Sequence, residues 1–139
     1  MSFVGVLAGR DPVGVYLWSS EREVTEILHT AEVAGWGGGY VDGWTLPADR
    51  RAVLAAMGEA LGFGEWFGAN YDALADSLRD LTEPFVLLWD GWGVLARAEP
   101  RAFDTLVAIL GRHAQDSDAG FAVLLRGEGP EVSGIAALD

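Results

Sequence analysis

The chain alternates short apolar runs with segments whose apolar residues recur every three or four positions. Residues 13–18 (VGVYLW) are β-branched and aromatic, which predicts a strand. Ser20 and Glu23 have the spacing of a capping box, and Val24, Ile27, Leu28 and Ala31 follow at helical spacing until Gly35. Residues 36–41 predict a second strand, weakened by three successive glycines, before the Asp42-Gly43 turn. A helix is expected over 49–61, with Val53, Leu54, Met57 and Leu61 as its stripe and Gly62 as its stop. After a loop over 62–68 with exposed-looking aromatics, Asn70 is placed to cap a helix over 71–81. Residues 84–89 (PFVLLW) are apolar without alternation, the mark of a strand buried on both faces. Pro100 opens a helix running to about His113, with Phe103, Leu106, Val107 and Leu110 inward. Residues 120–125 (GFAVLL) predict the last buried strand, and the stretch from Gly127 is expected to pack loosely. Apolar strands separated by helices imply an α/β fold with a mainly parallel sheet covered by helices.

Composition narrows the function classes. With 139 residues and no dividing linker, one domain is expected: a strand–helix unit over 1–35, a core over 36–126 and a tail over 127–139. There is no cysteine, which excludes disulfides and thiolate chemistry. All nine basic residues are arginine, so Schiff-base and P-loop lysines are excluded, and a GC-rich bacterial genome is hinted at. A formal net charge of −12 disfavours direct contact with nucleic acid or an anionic membrane. No run approaches the ~20 apolar residues of a membrane span. No signal peptide is read at the start, so a cytoplasmic location is the default.

The informative stretch is 64–81, GEWFGANYDALADSLRDL. On its helix Leu74, Leu78 and Leu81 share one face. Asp72, Asp76 and Asp80 stand four apart, so each step drifts only ~40° and rises ~6 Å, giving a row of carboxylates. Like charges at that spacing cost some tenths of a kcal/mol per pair, and Asp80 also opposes the helix dipole. One reading is a solvated acidic face. The other is an anionic ridge that docks a cationic cleft, with Trp66 and Tyr71 as aromatic anchors. The ridge reading requires Asp72 and Asp76 to be free of internal bases such as Arg79.

The run Trp66-Phe67-Gly68-Ala69-Asn70-Tyr71-Asp72-Ala73-Leu74-Ala75-Asp76 resembles the barstar family, small intracellular inhibitors of secreted guanyl-specific ribonucleases. Glu65 before the aromatics and the strand opened by Pro84 also match, and the resemblance runs from about Tyr40 to Arg126. It implies a three-stranded parallel sheet packed by helices, here with an extra N-terminal strand–helix unit. It further implies a stoichiometric, cofactor-free inhibitor, not an enzyme, that is a monomer in a one-to-one complex with a basic microbial ribonuclease. Carried over by motif, Asp76 would mimic an RNA phosphate and Asp72 would be the second acidic contact; Asp80 continues the acidic row at the same spacing. Trp66 would stack in the substrate groove, Asn70 would fix the loop and offer polar contacts, and Tyr71, in place of a family aliphatic residue, would add contact area. Ala75 stands where the family often has tryptophan, Ala69 replaces an acidic loop residue, and Gly111 falls near a further family glutamate. These departures keep an alternative open: an acidic interaction module, or an immunity protein for a toxin other than a ribonuclease.

Other constellations carry less. His29 and His113 each sit on an expected helix, and no nucleophile–base–orienter set is visible. Residues 116–120 (DSDAG) lack the acidic twelfth ligand of a calcium loop. No metal site is expected. Trp44 and Trp92 follow expected strands and are candidates to border the binding surface.

Overall fold

A computed structural model describes residues 1–64 and 67–139. In it the apolar runs become neighbouring strands. The elements in order are α1 (Phe3–Leu7), β1 (Gly14–Trp18), α2 (Val24–Val33), β2 (Gly37–Asp42), α3 (Arg50–Ala60), α4 (Tyr71–Leu78), β3 (Phe85–Asp90), α5 (Trp92–Ala98), α6 (Pro100–Asp116), β4 (Phe121–Arg126) and β5 (Ala136–Leu138). The strand order among the described residues is β2-β3-β4-β1-β5, and every pairing is parallel. The three strands expected from 36–41, 84–89 and 120–125 are adjacent. Gly37 lies opposite Phe85 and Phe85 opposite Phe121 at one end; Asp42, Asp90 and Arg126 align at the other.

The central strands lack alternation because both of their faces are covered. Residues 86–89 and 121–125 are at most 1% exposed. Leu87, Trp89, Val123 and Leu125 face the core built with α3 to α6, while Val86, Leu88, Ala122 and Leu124 face α1 and α2. The glycines of β2 are demanded by close approach. A Cβ on Gly38 would come 2.9 Å from Leu28 of α2, and one on Gly39 would collide with the Ala60 carbonyl oxygen of α3. Gly35 ends α2 with φ +87°, the left-handed region open to glycine.

Several expectations change. The Ser20–Glu23 capping box does not form. Arg126 Nη1 donates to the carbonyl oxygens of Ser20 at 3.0 Å and Arg22 at 2.7 Å, and α2 starts only at Val24 without a side-chain cap bond. The helix after Pro100 continues to Asp116. Two short helices, α1 and α5, were not anticipated. α5 is held by packing, with the Trp92 and Phe103 rings stacked at 5.1 Å. The stretch after Gly127, expected to be loose, supplies β5, which pairs with β1 through Tyr16–Ala136 and Trp18–Leu138. The Trp18 indole N–H donates to the Asp139 carbonyl oxygen at 3.1 Å, and the terminal amine meets the Asp139 carboxylate at 3.1 Å. The N-terminal unit thus adds β1 beside β4, and β5 covers its outer edge.

The carboxyl ends of the strands are tied by one polar network. Arg126 Nε and Nη2 donate to the two Asp90 oxygens at 2.7 and 2.8 Å, and the Tyr40 hydroxyl donates to Asp90 Oδ2 at 3.0 Å. Hydrogen bonding to Asp90 raises the Arg126 pKa above its ordinary value, although burial opposes it. Burial, and then the Asp90 charge, push the Tyr40 phenol far up.

Candidate functional site

α4 begins where Asn70 can cap it. The Asn70 Oδ1 accepts the Ala73 N–H at 2.8 Å, satisfying one of the free donors at the helix start. The preceding residue, Ala69, has φ +50°, a left-handed conformation that non-glycine residues adopt at a cost. Leu74 and Leu78 are fully buried against the core, so packing fixes which face of α4 looks outward. Phe67 does not stand exposed, contrary to expectation. Its ring lies over Gly58 of α3, where a Cβ would collide with it, and beside Phe63 at 5.5 Å.

The outward face carries Asp72 and Asp76, both exposed and one turn apart. No ion pair involving Asp72 appears among the described residues. Asp76, expected to be free, accepts from Arg79 Nη1 at 2.8 Å, and both side chains are 71% exposed. That spacing of three was legible in the sequence. An exposed pair of this kind contributes no more than about 1 kcal/mol and exchanges readily for a better partner. Asp80 is exposed and lies just beyond the helix, which was expected to run to Leu81. The helix ends at Leu78, and the Asp80 N–H turns back to the Ser77 carbonyl at 3.1 Å. A bond of this tighter kind satisfies one of the carbonyls that any helix end leaves free.

Tyr71 is half-buried, and the Arg50 guanidinium lies 5.6 Å from its ring centroid. One face of the expected aromatic anchor is therefore occupied by a cation of the chain itself. Trp66 and Glu65 lie outside the described residues.

Ala75 lines a groove of about 930 Å³ between α4 and α6, continuous with the turn before β4. Its floor includes Leu78, Leu81 and Ile109, and its rim includes Arg79, Arg112, Asp116 and Asp118. Arg112 pairs with Asp116 at 3.6 Å. His113, on the same wall, has its ring edge-on to Phe121 at 4.8 Å; burial lowers its pKa, with the Asp116 charge working the other way. Sequence patterning missed this groove because its walls come from segments some thirty residues apart. Asn70, Asp72, Ala75 and Asp76 share one helix, whereas Gly111 lies on α6.

Among the described residues no group of three His, Asp or Glu side chains is arranged to hold a metal, and no helix is long and apolar enough to cross a membrane. The arrangement offers one kind of chemistry: two acceptor carboxylates on a rigid helix, beside a groove with an apolar floor. A comparison with curated proteins returns no match. A protein-family model described as Barstar (barnase inhibitor) matches residues 41–126, more than half of the chain. The match spans β2's end through β4, leaving α1, β1, α2 and β5 outside it.

Proposed function

The chain belongs to the barstar family, whose members inhibit ribonucleases of the barnase type, and on that premise we propose that it blocks such an enzyme stoichiometrically by laying α4 across the active site. Asp76 takes the place of an RNA phosphate and Asp72 is the second acidic contact. The partner is a basic ribonuclease bound one to one. The protein acts in the cytoplasm of the cell that secretes that enzyme.

The observation that carries this reading is the placement of Asp72 and Asp76 at the surface of a helix locked by Leu74 and Leu78. A ribonuclease cleft grips phosphate with cationic donors, and a carboxylate accepts the same charge-assisted bonds. Asp72 meets the requirement of freedom from internal bases among the described residues and Asp76 does not, but the Asp76–Arg79 pair is exposed and open to exchange. A solvent-exposed pair is weak, whereas an arginine in a water-excluded cleft binds a carboxylate more strongly, so Asp76 exchanges one guanidinium for another. Asn70 holds the loop and the start of α4 in register. Trp66 adds aromatic contact area in the substrate groove. The net charge of −12 draws a basic partner from a distance.

Titration calorimetry with barnase tests this. The wild-type chain should bind one to one, and Asp76→Ala should weaken binding by about 3 kcal/mol or more, because a cation in the cleft is left unpaired. Association should slow steeply with salt, since screening acts beyond about 10 Å at 0.1 M. A loss below about 1 kcal/mol on Asp76→Ala, within the range of an exposed pair, would reject the phosphate-mimic role. No binding by the wild-type chain would reject the barnase-type partner.

A further inference from the structure

The loops that follow the strands build a second surface, whose described lining includes no residue of α4. Trp44 follows β2 and is 54% exposed, the one aromatic among the described large apolar residues left open to solvent. It is nevertheless held in place. A Cβ on Gly91, after β3, would come 2.9 Å from Trp44 Cδ2, and one on Gly127, after β4, would come 2.7 Å from Cζ2. Two bare stretches of backbone thus pack closely against the indole, and the main-chain N–H of Trp44 donates to Asp42 Oδ1 at 3.1 Å.

Beside it lies a crevice of about 300 Å³ lined by residues 20–24, Trp44, Asp90, Arg126 and Gly127. Its position follows from topology. β4 and β1 are neighbours, but β1 continues into α2 on one face, while the segment after β4 places Val132 and Ile135 against the core on the other. Such a switch point, outside the carboxyl ends of the strands, is where open parallel sheets receive ligands.

The charges around the crevice decide what it accepts. Arg126 is committed to Asp90 and to the carbonyls of Ser20 and Arg22. Arg22 points along α2, with Nε to Glu26 at 3.0 Å and Nη2 to Thr30 at 2.9 Å. Glu21 and Glu23 are exposed, and neither carries an ion pair among the described residues. Both local cations are spent and two carboxylates stand open beside a rigid indole face.

We infer that this crevice docks an arginine side chain of a partner protein, its guanidinium flat on the free face of Trp44 and its donors on Glu21 and Glu23. Arginine suits the site better than lysine because its planar, weakly hydrated head stacks on an indole and reaches two carboxylates at once. Nucleic acid is excluded by the acidic surroundings. The chain therefore has a second protein contact, separate from the α4 ridge.

Two peptides of equal charge test this by amide and indole NMR titration of the full chain: Gly-Arg-Gly-Arg-Gly and Gly-Lys-Gly-Lys-Gly. The arginine peptide should bind more tightly and shift the Trp44 indole N–H and the Glu21 and Gly127 amides. Trp44→Ala leaves the charge unchanged; it should weaken the arginine peptide about fivefold and erase its advantage over lysine. Glu21→Gln should weaken both peptides. Asp76→Ala should leave both unchanged, so the α4 reading and this one fail separately. An unaltered titration of Trp44→Ala, shifts confined to α4, or tetramethylammonium binding as tightly as the arginine peptide would each overturn the proposal.

Discussion

Replacing Asp90 by asparagine isolates the network that closes the strand ends. Asp90 and Arg126 are each 12% exposed and share two hydrogen bonds of 2.7 and 2.8 Å, with Tyr40 adding a third to the carboxylate. Asparagine keeps the shape and one acceptor but removes the charge and sets an N–H₂ group against donors. Removing one partner of a buried pair costs about 3–5 kcal/mol, and the retained acceptor places Asp90→Asn near the lower end, about 3 kcal/mol. For a chain of 139 residues that is a fall in Tm of roughly 10 °C. Urea unfolding of Asp90→Asn, Arg126→Met and the double variant forms a cycle. The double variant should lose less than the sum of the singles by more than about 1.5 kcal/mol, because removing both charges leaves none stranded. A single-variant loss under about 1 kcal/mol, or additivity within about 0.5 kcal/mol, would refute the reasoning.

Ala69→Gly should cost nothing or stabilise the chain by up to about 1 kcal/mol, because glycine relieves the left-handed strain while loosening the unfolded chain; a loss above about 1 kcal/mol in urea unfolding would contradict the strain at that position. Burial lowers the His113 pKa, so the fold favours the neutral imidazole. The unfolded chain then binds more protons as pH falls through the ordinary histidine value near 6.5, so stability is fully present above that value and declines below it. His113→Gln should flatten that decline between about pH 7 and 5; an unchanged slope would assign it to other groups.

Much of the fold was legible because burial leaves a periodic trace. The unalternating runs at 84–89 and 120–125 became the two central strands, and the stripes at Val53–Leu61 and Phe103–Leu110 became the inner faces of α3 and α6. The glycine run at 37–39 read as a weakness in a strand. It is instead the clearance that lets α2 and α3 approach β2. The two indoles after strands were indistinguishable by pattern, yet Trp92 is 3% exposed and Trp44 54%. What separates them is the helix that starts at Trp92 and stacks it on Phe103, a contact between distant positions. The helix expected over 71–81 ends at Leu78, because helix ends depend on which carbonyls find partners.

Local sequence by itself determined the apolar runs, the Asn70 cap, and a helix with leucines on one side and aspartates on the other. These are properties of neighbouring residues and their periods. The tertiary structure alone decided that Arg126 would stitch the loop after β1, that the last residues would form a strand, that Ala75 would open onto a groove and that Trp44 would rest on Gly91 and Gly127. Each of these joins segments far apart in the chain, and their meeting depends on strand order and register, which no local pattern encodes.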